Sequence, residues 1–203
     1  MTDWVSSIRP IEGAQEGIAA LRRLGYRLVI ITARNEHVRD ASWEWTQRHF
    51  PGCFEEIICT GQFALQQRVD GLPGIDQGNV APKKLTKAEV CIRVGAKILI
   101  DDSLENALAC AEYVSPSGDG VAPPVLLFGD YQWNKRLSLP EDELDDMAYQ
   151  RRVELENGST DFLVEDARLG EEALTRANEN CPNFVQRVKD WEAVVSYVEA
   201  LEV

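Results

Sequence analysis

Two adjacent carboxylates close an apolar run in Lys97-Ile98-Leu99-Ile100-Asp101-Asp102-Ser103. That stretch constrains the fold more than any other. It reads as a buried strand, because parallel strands covered on both faces are written as continuous apolar runs rather than alternating ones. In open α/β sheets, ligands bind just beyond the carboxyl ends of such strands. A pair of acids there makes a hard-oxygen site suited to Mg²⁺, which takes one or two carboxylates and keeps several waters. A structural reading stands beside the functional one. In it, Asp101 ends the strand and Asp102 caps the helix from Ser103 to Ala111.

A second strand carries a second signal. Arg27-Leu28-Val29-Ile30-Ile31-Thr32-Ala33-Arg34 is again an apolar run, ending in a hydroxyl and a polar turn. A threonine there can donate to a phosphate oxygen alongside the backbone N–H groups of Ala33 and Arg34. Its structural alternative is a cap for the helix beginning near Asn35. Between the two strands lies Lys83-Lys84-Leu85-Thr86-Lys87, at the start of the helix that leads to Asp101. Lysine neutralises phosphate as a point charge, although a lysine at a helix start is more often simply solvated. The order strand–Thr, then Lys, then strand–Asp-Asp is far more specific than any one element.

In that order the chain resembles the haloacid dehalogenase (HAD) superfamily, whose members are mostly Mg²⁺-dependent phosphohydrolases. Thr32 matches the family's second motif, Lys87 its third and Asp101-Asp102 its fourth. Two further pieces, Leu126-Leu127-Phe128-Gly129-Asp130-Tyr131-Gln132-Trp133-Asn134 and Arg187-Val188-Lys189-Asp190-Trp191, resemble the branch containing the 5′(3′)-deoxyribonucleotidases. The resemblance covers residues 8–136 and about the last twenty residues. It implies phosphate binding by Thr32, Ala33, Arg34 and Lys87, with Mg²⁺ on Asp101 and Asp102.

One departure from the family outweighs these matches. HAD phosphatases begin with a strand ending Asp-x-Asp-x-Thr, whose first carboxylate is the nucleophile and whose second is the acid/base. No such motif occurs in this chain. Thirteen residues precede the first helix, and their one aspartate, Asp3, lies in Thr-Asp-Trp-Val-Ser without a second carboxylate. A carboxylate nucleophile splits phosphoryl transfer into two easier steps. Without it, phosphate could be held but not attacked, and any Mg²⁺ affinity is expected to be weak or vestigial. The fold expected is α/β, a doubly wound and mainly parallel sheet lacking the family's first strand, with an acidic helical insertion. In that fold the vacant slot lies between the strands ending at Thr32 and Asp102. Direct pairing of those two strands would satisfy both ladders.

Composition sets the outer bounds. The 203 residues suffice for one sizeable core. A formal net charge of −13 argues against binding nucleic-acid polymers or anionic membranes, which need clustered positive charge. No stretch approaches eighteen consecutive apolar residues, and Met1-Thr2-Asp3-Trp4 does not read as a secretory signal. Five cysteines, an odd number without metal-type spacing, are expected as free thiols in a reducing, cytoplasmic setting. Asn157-Gly158-Ser159 matches a glycosylation sequon, with no secretory signal to deliver it.

Three regions follow. Residues 1–136 read as the HAD-like α/β core. Helices are expected over Ala14–Leu24, Glu36–His49, Thr86–Val94 and Leu104–Ala111, with strands ending at Thr32, Thr60, Asp101 and Phe128. Residues 61–82 read as a long connection. Trp43, Trp45 and Phe50 are read as packing rather than base stacking. His37 and His49, at opposite ends of one helix without a nucleophile beside them, are read as surface or cap residues. Residues 137–183 form the acidic insertion: residues 141–172 hold twelve acids against three arginines. Helices are expected there around Glu141–Glu156 and Gly170–Asn178, and Asp142-Glu143-Leu144-Asp145-Asp146 lacks the ligand spacing of a calcium loop. Residues 184–203 read as one amphipathic helix, on the spacing of Val188, Trp191, Val194, Val195 and Val198.

Functionally these observations lead to a nucleotidase-like domain that is inactive as this chain. The alternative is a non-catalytic module binding a phosphorylated small molecule or a protein. An active hydrolase using Asp101 or Asp102 to activate a metal-bound water is the weakest reading. Homo-oligomerisation and a protein partner both stay open.

Overall fold

The computed structural model describes residues 7–34, 36–60, 85–115, 120–137, 149–181 and 184–201. The chain divides into two compact units, Met1–Val90 with Val195–Val203, and Cys91–Val194.

The first unit opens with helix α1, Ala14–Arg23, which buries Ala14, Gly17, Ile18 and Leu21. It stops where the Gly25 N–H bonds to Arg22 O and the Tyr26 N–H to Leu21 O, the paired closure that satisfies a helix's last carbonyls. Strand β1, Leu28–Thr32, follows. A 3₁₀ turn over Glu36–Val38 then leads into helix α2, Arg39–His49. Strand β2, Phe54–Cys59, runs parallel to β1, with Thr32 opposite Cys59 at the end of the register. Trp45, His49, Phe50 and Phe54 form a chain of rings, with centroids 4.8 Å apart for Trp45–His49 and 5.8 Å for Trp45–Phe50 and Phe50–Phe54. Trp45 and Phe50 therefore pack in this cluster.

Helix α3, Lys87–Val94, precedes strand β3, Leu99–Asp101. In the second unit β3 leads into helix α4, Leu104–Ala111, and strand β4, Val125–Phe128. Helices α5, Tyr149–Leu155, and α6, Phe162–Asn180, come before strand β5, Val185–Val188, and helix α7, Trp191–Leu201. The three strands are parallel in the order β3-β4-β5, so β4 is central. Its Val125, Leu126 and Leu127 have no exposed surface. Helix α6 turns Phe162, Gly170, Leu174 and Ala177 inward and packs on α4 and β5. At Gly170 it passes so close to the chain that a Cβ would lie 2.0 Å from Lys135 O. Only glycine fits there.

An α/β architecture with parallel strands is therefore present. It departs from expectation in four places. Among the described residues the strands form two sheets, β1-β2 and β3-β4-β5, and no ladder joins the Thr32 strand to the Asp102 strand. Strand β1, written as a fully buried run, is only half-buried at all five positions, since it has one ladder partner among the described residues. Val185–Val188 are strand rather than helix, because they complete the exposed side of β4. Helix α6 begins at Phe162, eight residues before the expected Gly170.

The segment before the first helix, where the family's first strand would lie, falls outside the described residues over positions 1–6. The same holds for the 61–82 connection and the Asp142–Asp146 run. Among the described residues, no helix is long and apolar enough to cross a membrane.

Candidate functional site

Each of the two motif turns sits at the carboxyl end of its own strand. In the first unit, the Arg34 N–H donates to Thr32 Oγ1 at 3.3 Å, so the hydroxyl organises its own turn. Thr32 O is engaged from β2 by the Thr60 N–H at 2.7 Å and by Thr60 Oγ1 at 3.3 Å. The Arg34 guanidinium donates to Ser42 Oγ at 3.1 Å, and Ser42 Oγ in turn donates to Val38 O. That chain ties the Thr32-Ala33-Arg34 turn to α2 while Ala33 and Arg34 stay exposed. Nearby, burial and the Glu36 carboxylate push the Cys59 thiol above its ordinary pKa, against a smaller opposite pull from Arg39 and Arg34.

Lys87 is half-buried and is the first residue of α3. Its helix start is a reciprocal cap: Glu89 N–H donates to Thr86 Oγ1 at 3.1 Å, and Thr86 N–H donates to Glu89 Oε2 at 2.8 Å.

In the second unit the two acids do different jobs. Asp101 is 7% exposed, and its Oδ1 accepts from the Ser103 N–H at 3.0 Å and from Asn106 Nδ2 at 3.1 Å. Ser103 Oγ accepts from the Asn106 N–H, so Ser103, and not Asp102, caps α4. Asp102 is exposed and accepts from Trp133 Nε1 at 3.0 Å.

The Trp133 loop is itself firmly built. Asn134 is fully buried, and its Nδ2 donates to Phe128 O at 2.8 Å and Gly129 O at 2.9 Å. Arg187, on β5, donates to Asn134 Oδ1 at 3.2 Å and Asn134 O at 3.1 Å. Phe128 and Trp191 meet with ring centroids 5.2 Å apart. The two pieces likened to the nucleotidase branch are thus adjoining parts of one structure. Spacing along the chain could not reveal this, because 53 residues separate Arg187 from Asn134.

Asp101 and Asp102 are the residues that would hold Mg²⁺. One oxygen of each is already accepting, and among the described residues no group of three or more His, Cys, Asp or Glu is placed to hold a metal. Two carboxylates with waters completing the shell are chemically compatible with Mg²⁺ at low affinity. His37 is exposed in the 3₁₀ turn, and His49 lies half-buried against Trp45. Compared with family models, curated proteins and solved structures, the chain matches none.

Proposed function

We propose that this chain is a HAD-like phosphohydrolase-type domain, nucleotidase-like in its motifs, that lacks the carboxylate nucleophile and has no phosphatase turnover as this chain. The observation that carries this reading is the pair of motif turns. Thr32-Ala33-Arg34 and Asp101-Asp102 each fall at the carboxyl end of a parallel strand, where α/β sheets bind ligands. Thr32, Ala33, Arg34 and Lys87 would hold a phosphoryl group, and Asp101 and Asp102 a weakly bound Mg²⁺. On this reading none of them replaces an aspartyl nucleophile. Asp101 is buried and tied to the start of α4, while Asp102 is bonded to an indole.

Those same bonds favour the second reading, a non-catalytic module that binds a phosphorylated small molecule or a protein. Acids that organise loops need no metal to explain them.

Phosphate release from p-nitrophenyl phosphate and nucleoside monophosphates with Mg²⁺ tests the proposal, and no appreciable turnover is expected. Turnover of about one per second, an ordinary enzymatic rate, abolished by Asp101→Ala, would overturn it. Inorganic phosphate titrated against the backbone resonances of Ala33 and Arg34 separates a binding module from an inert one. Thr32→Val should weaken that binding.

A further inference from the structure

Trp133 is 62% exposed, on a loop whose backbone is tied by the neighbouring Asn134 side chain. Tyr131 stacks on one face, with ring centroids 4.4 Å apart and planes within 5°. Tyr131 in turn lies against Gly129, where a Cβ would come within 2.2 Å of its ring. The buried Asn134 fixes the backbone, and Asp102 anchors the indole N–H. Large apolar surface presented in one fixed orientation is characteristic of recognition sites.

The chemistry around the ring selects the ligand. A carboxylate bonded to an indole edge adds negative charge beside an already electron-rich face, the combination that attracts cations. Asp102 Oδ1 makes no hydrogen bond among the described residues, so one acceptor remains beside the open face. The exposed Asp130 lies three residues away in sequence and is occupied by Lys135 at 2.8 Å. The whole chain carries −13. The Asp102 carboxylate and the net charge of the chain both disfavour an anionic partner.

We propose that the open face of Trp133 and Asp102 Oδ1 together bind an arginine side chain of a basic protein partner. The planar guanidinium would lie on the indole while one N–H donates to the carboxylate. Lysine cannot do both, since its ammonium is a compact point charge without a flat face. This surface shares Asp102 with the weak Mg²⁺ site proposed above but needs neither phosphate nor metal, so the titration below is run in Mg²⁺-free buffer.

The test is a titration of the intact chain with capped tripeptides Gly-X-Gly, followed at the Trp133 indole N–H by NMR. X is arginine, lysine or citrulline, the neutral isostere of arginine. The arginine peptide should shift that resonance saturably, and the lysine and citrulline peptides should bind at least about threefold more weakly. Trp133→Ala, followed at the Gly129 amide, should abolish saturation. Trp133→Phe, which keeps a ring, should retain binding to within about threefold. Asp102→Asn should weaken it about threefold. Unchanged dispersion of the other resonances verifies that each variant folds. Citrulline or lysine binding as tightly as arginine would overturn the proposal, as would arginine binding that survives Trp133→Ala.

Discussion

The side-chain amide of Asn178 bonds both backbone groups of one residue, Val185: Nδ2 donates to Val185 O at 2.9 Å, and Oδ1 accepts from Val185 N–H at 2.8 Å. A neighbouring strand would make just these two bonds. Strand β5 is the edge of its sheet among the described residues, and an open edge is a template for pairing with another chain. Helix α6 thus lends β5 one residue's worth of strand.

Asn178→Ala should accordingly have two effects. Loss of both bonds should lower stability by about 1–2 kcal/mol, read as a shift in the urea midpoint. Freeing the edge should also produce concentration-dependent association, visible by size-exclusion chromatography. A variant that is destabilised but monomeric at every concentration would show that the amide does not guard the edge.

Asn134 offers a sharper test, because it has no exposed surface and serves two carbonyls and Arg187 at once. Asn134→Ala should cost about 2–3 kcal/mol, since it leaves buried acceptors without donors. Arg187→Met, which keeps the aliphatic stem but removes the charge, should cost less, because Asn134 still holds Phe128 O and Gly129 O. Equal costs would mean that Arg187, not Asn134, organises the loop.

Local rules were enough to locate several elements from sequence. Leu104–Ala111 matches its expected bounds, although Ser103 rather than the expected Asp102 caps it, and the strand expected to end at Phe128 does so as an unbroken apolar run over Val125–Phe128. The failures share a cause, which is tertiary contact overriding periodicity. Gly170 reads as a helix boundary, but it lies inside α6 because the helix presses on the Lys135 backbone. Val185–Val188 continue a helical spacing, but pairing with β4 extends them. One local signal was available: Asp190 Oδ1 accepts from the Ala193 N–H, and an aspartate in that role marks a helix start. At the candidate site, Thr32, Asp101 and Asp102 were legible as strand-end residues. The Trp133–Asp102 and Arg187–Asn134 bonds were not, since no spacing rule reaches across 31 or 53 residues.

Acid should act on stability through the paired carboxylates. Hydrogen bonds from Arg27 hold Glu55 below its usual pKa, and Lys135 and Arg168 do the same for Asp130 and Glu165. A depressed folded-state pKa means stability that is present above the unfolded value and lost as pH falls through the folded one. Wild type should therefore exceed Glu55→Gln in stability at neutral pH, with the gap closing below about pH 4 as the carboxylates protonate. These pairs are exposed, so molar salt should also shrink the gap. A gap unchanged down to pH 2 would show that the Arg27–Glu55 pair contributes through shape rather than charge.

Thiol chemistry gives the last prediction. Cys53 and Cys181 are half-buried, whereas Cys59, Cys91 and Cys110 are 6%, 1% and 1% exposed. A disulfide reagent at about pH 8, near the thiol's own pKa, should label two sites quickly in the native chain and all five in denaturant. Cys59 is the informative one, because two influences slow it. Burial restricts access, and burial together with the Glu36 carboxylate raises its pKa, which depletes the reactive thiolate. The two influences separate by mutation. Glu36→Gln should lower the Cys59 pKa and speed its labelling, while Arg39→Gln, which removes an opposing positive charge, should slow it. Peptide mapping by mass spectrometry assigns the rates to the site. If Glu36→Gln leaves the Cys59 rate unchanged while Cys53 still reacts quickly, burial alone protects the thiol and the electrostatic account of the β1-β2 edge is wrong.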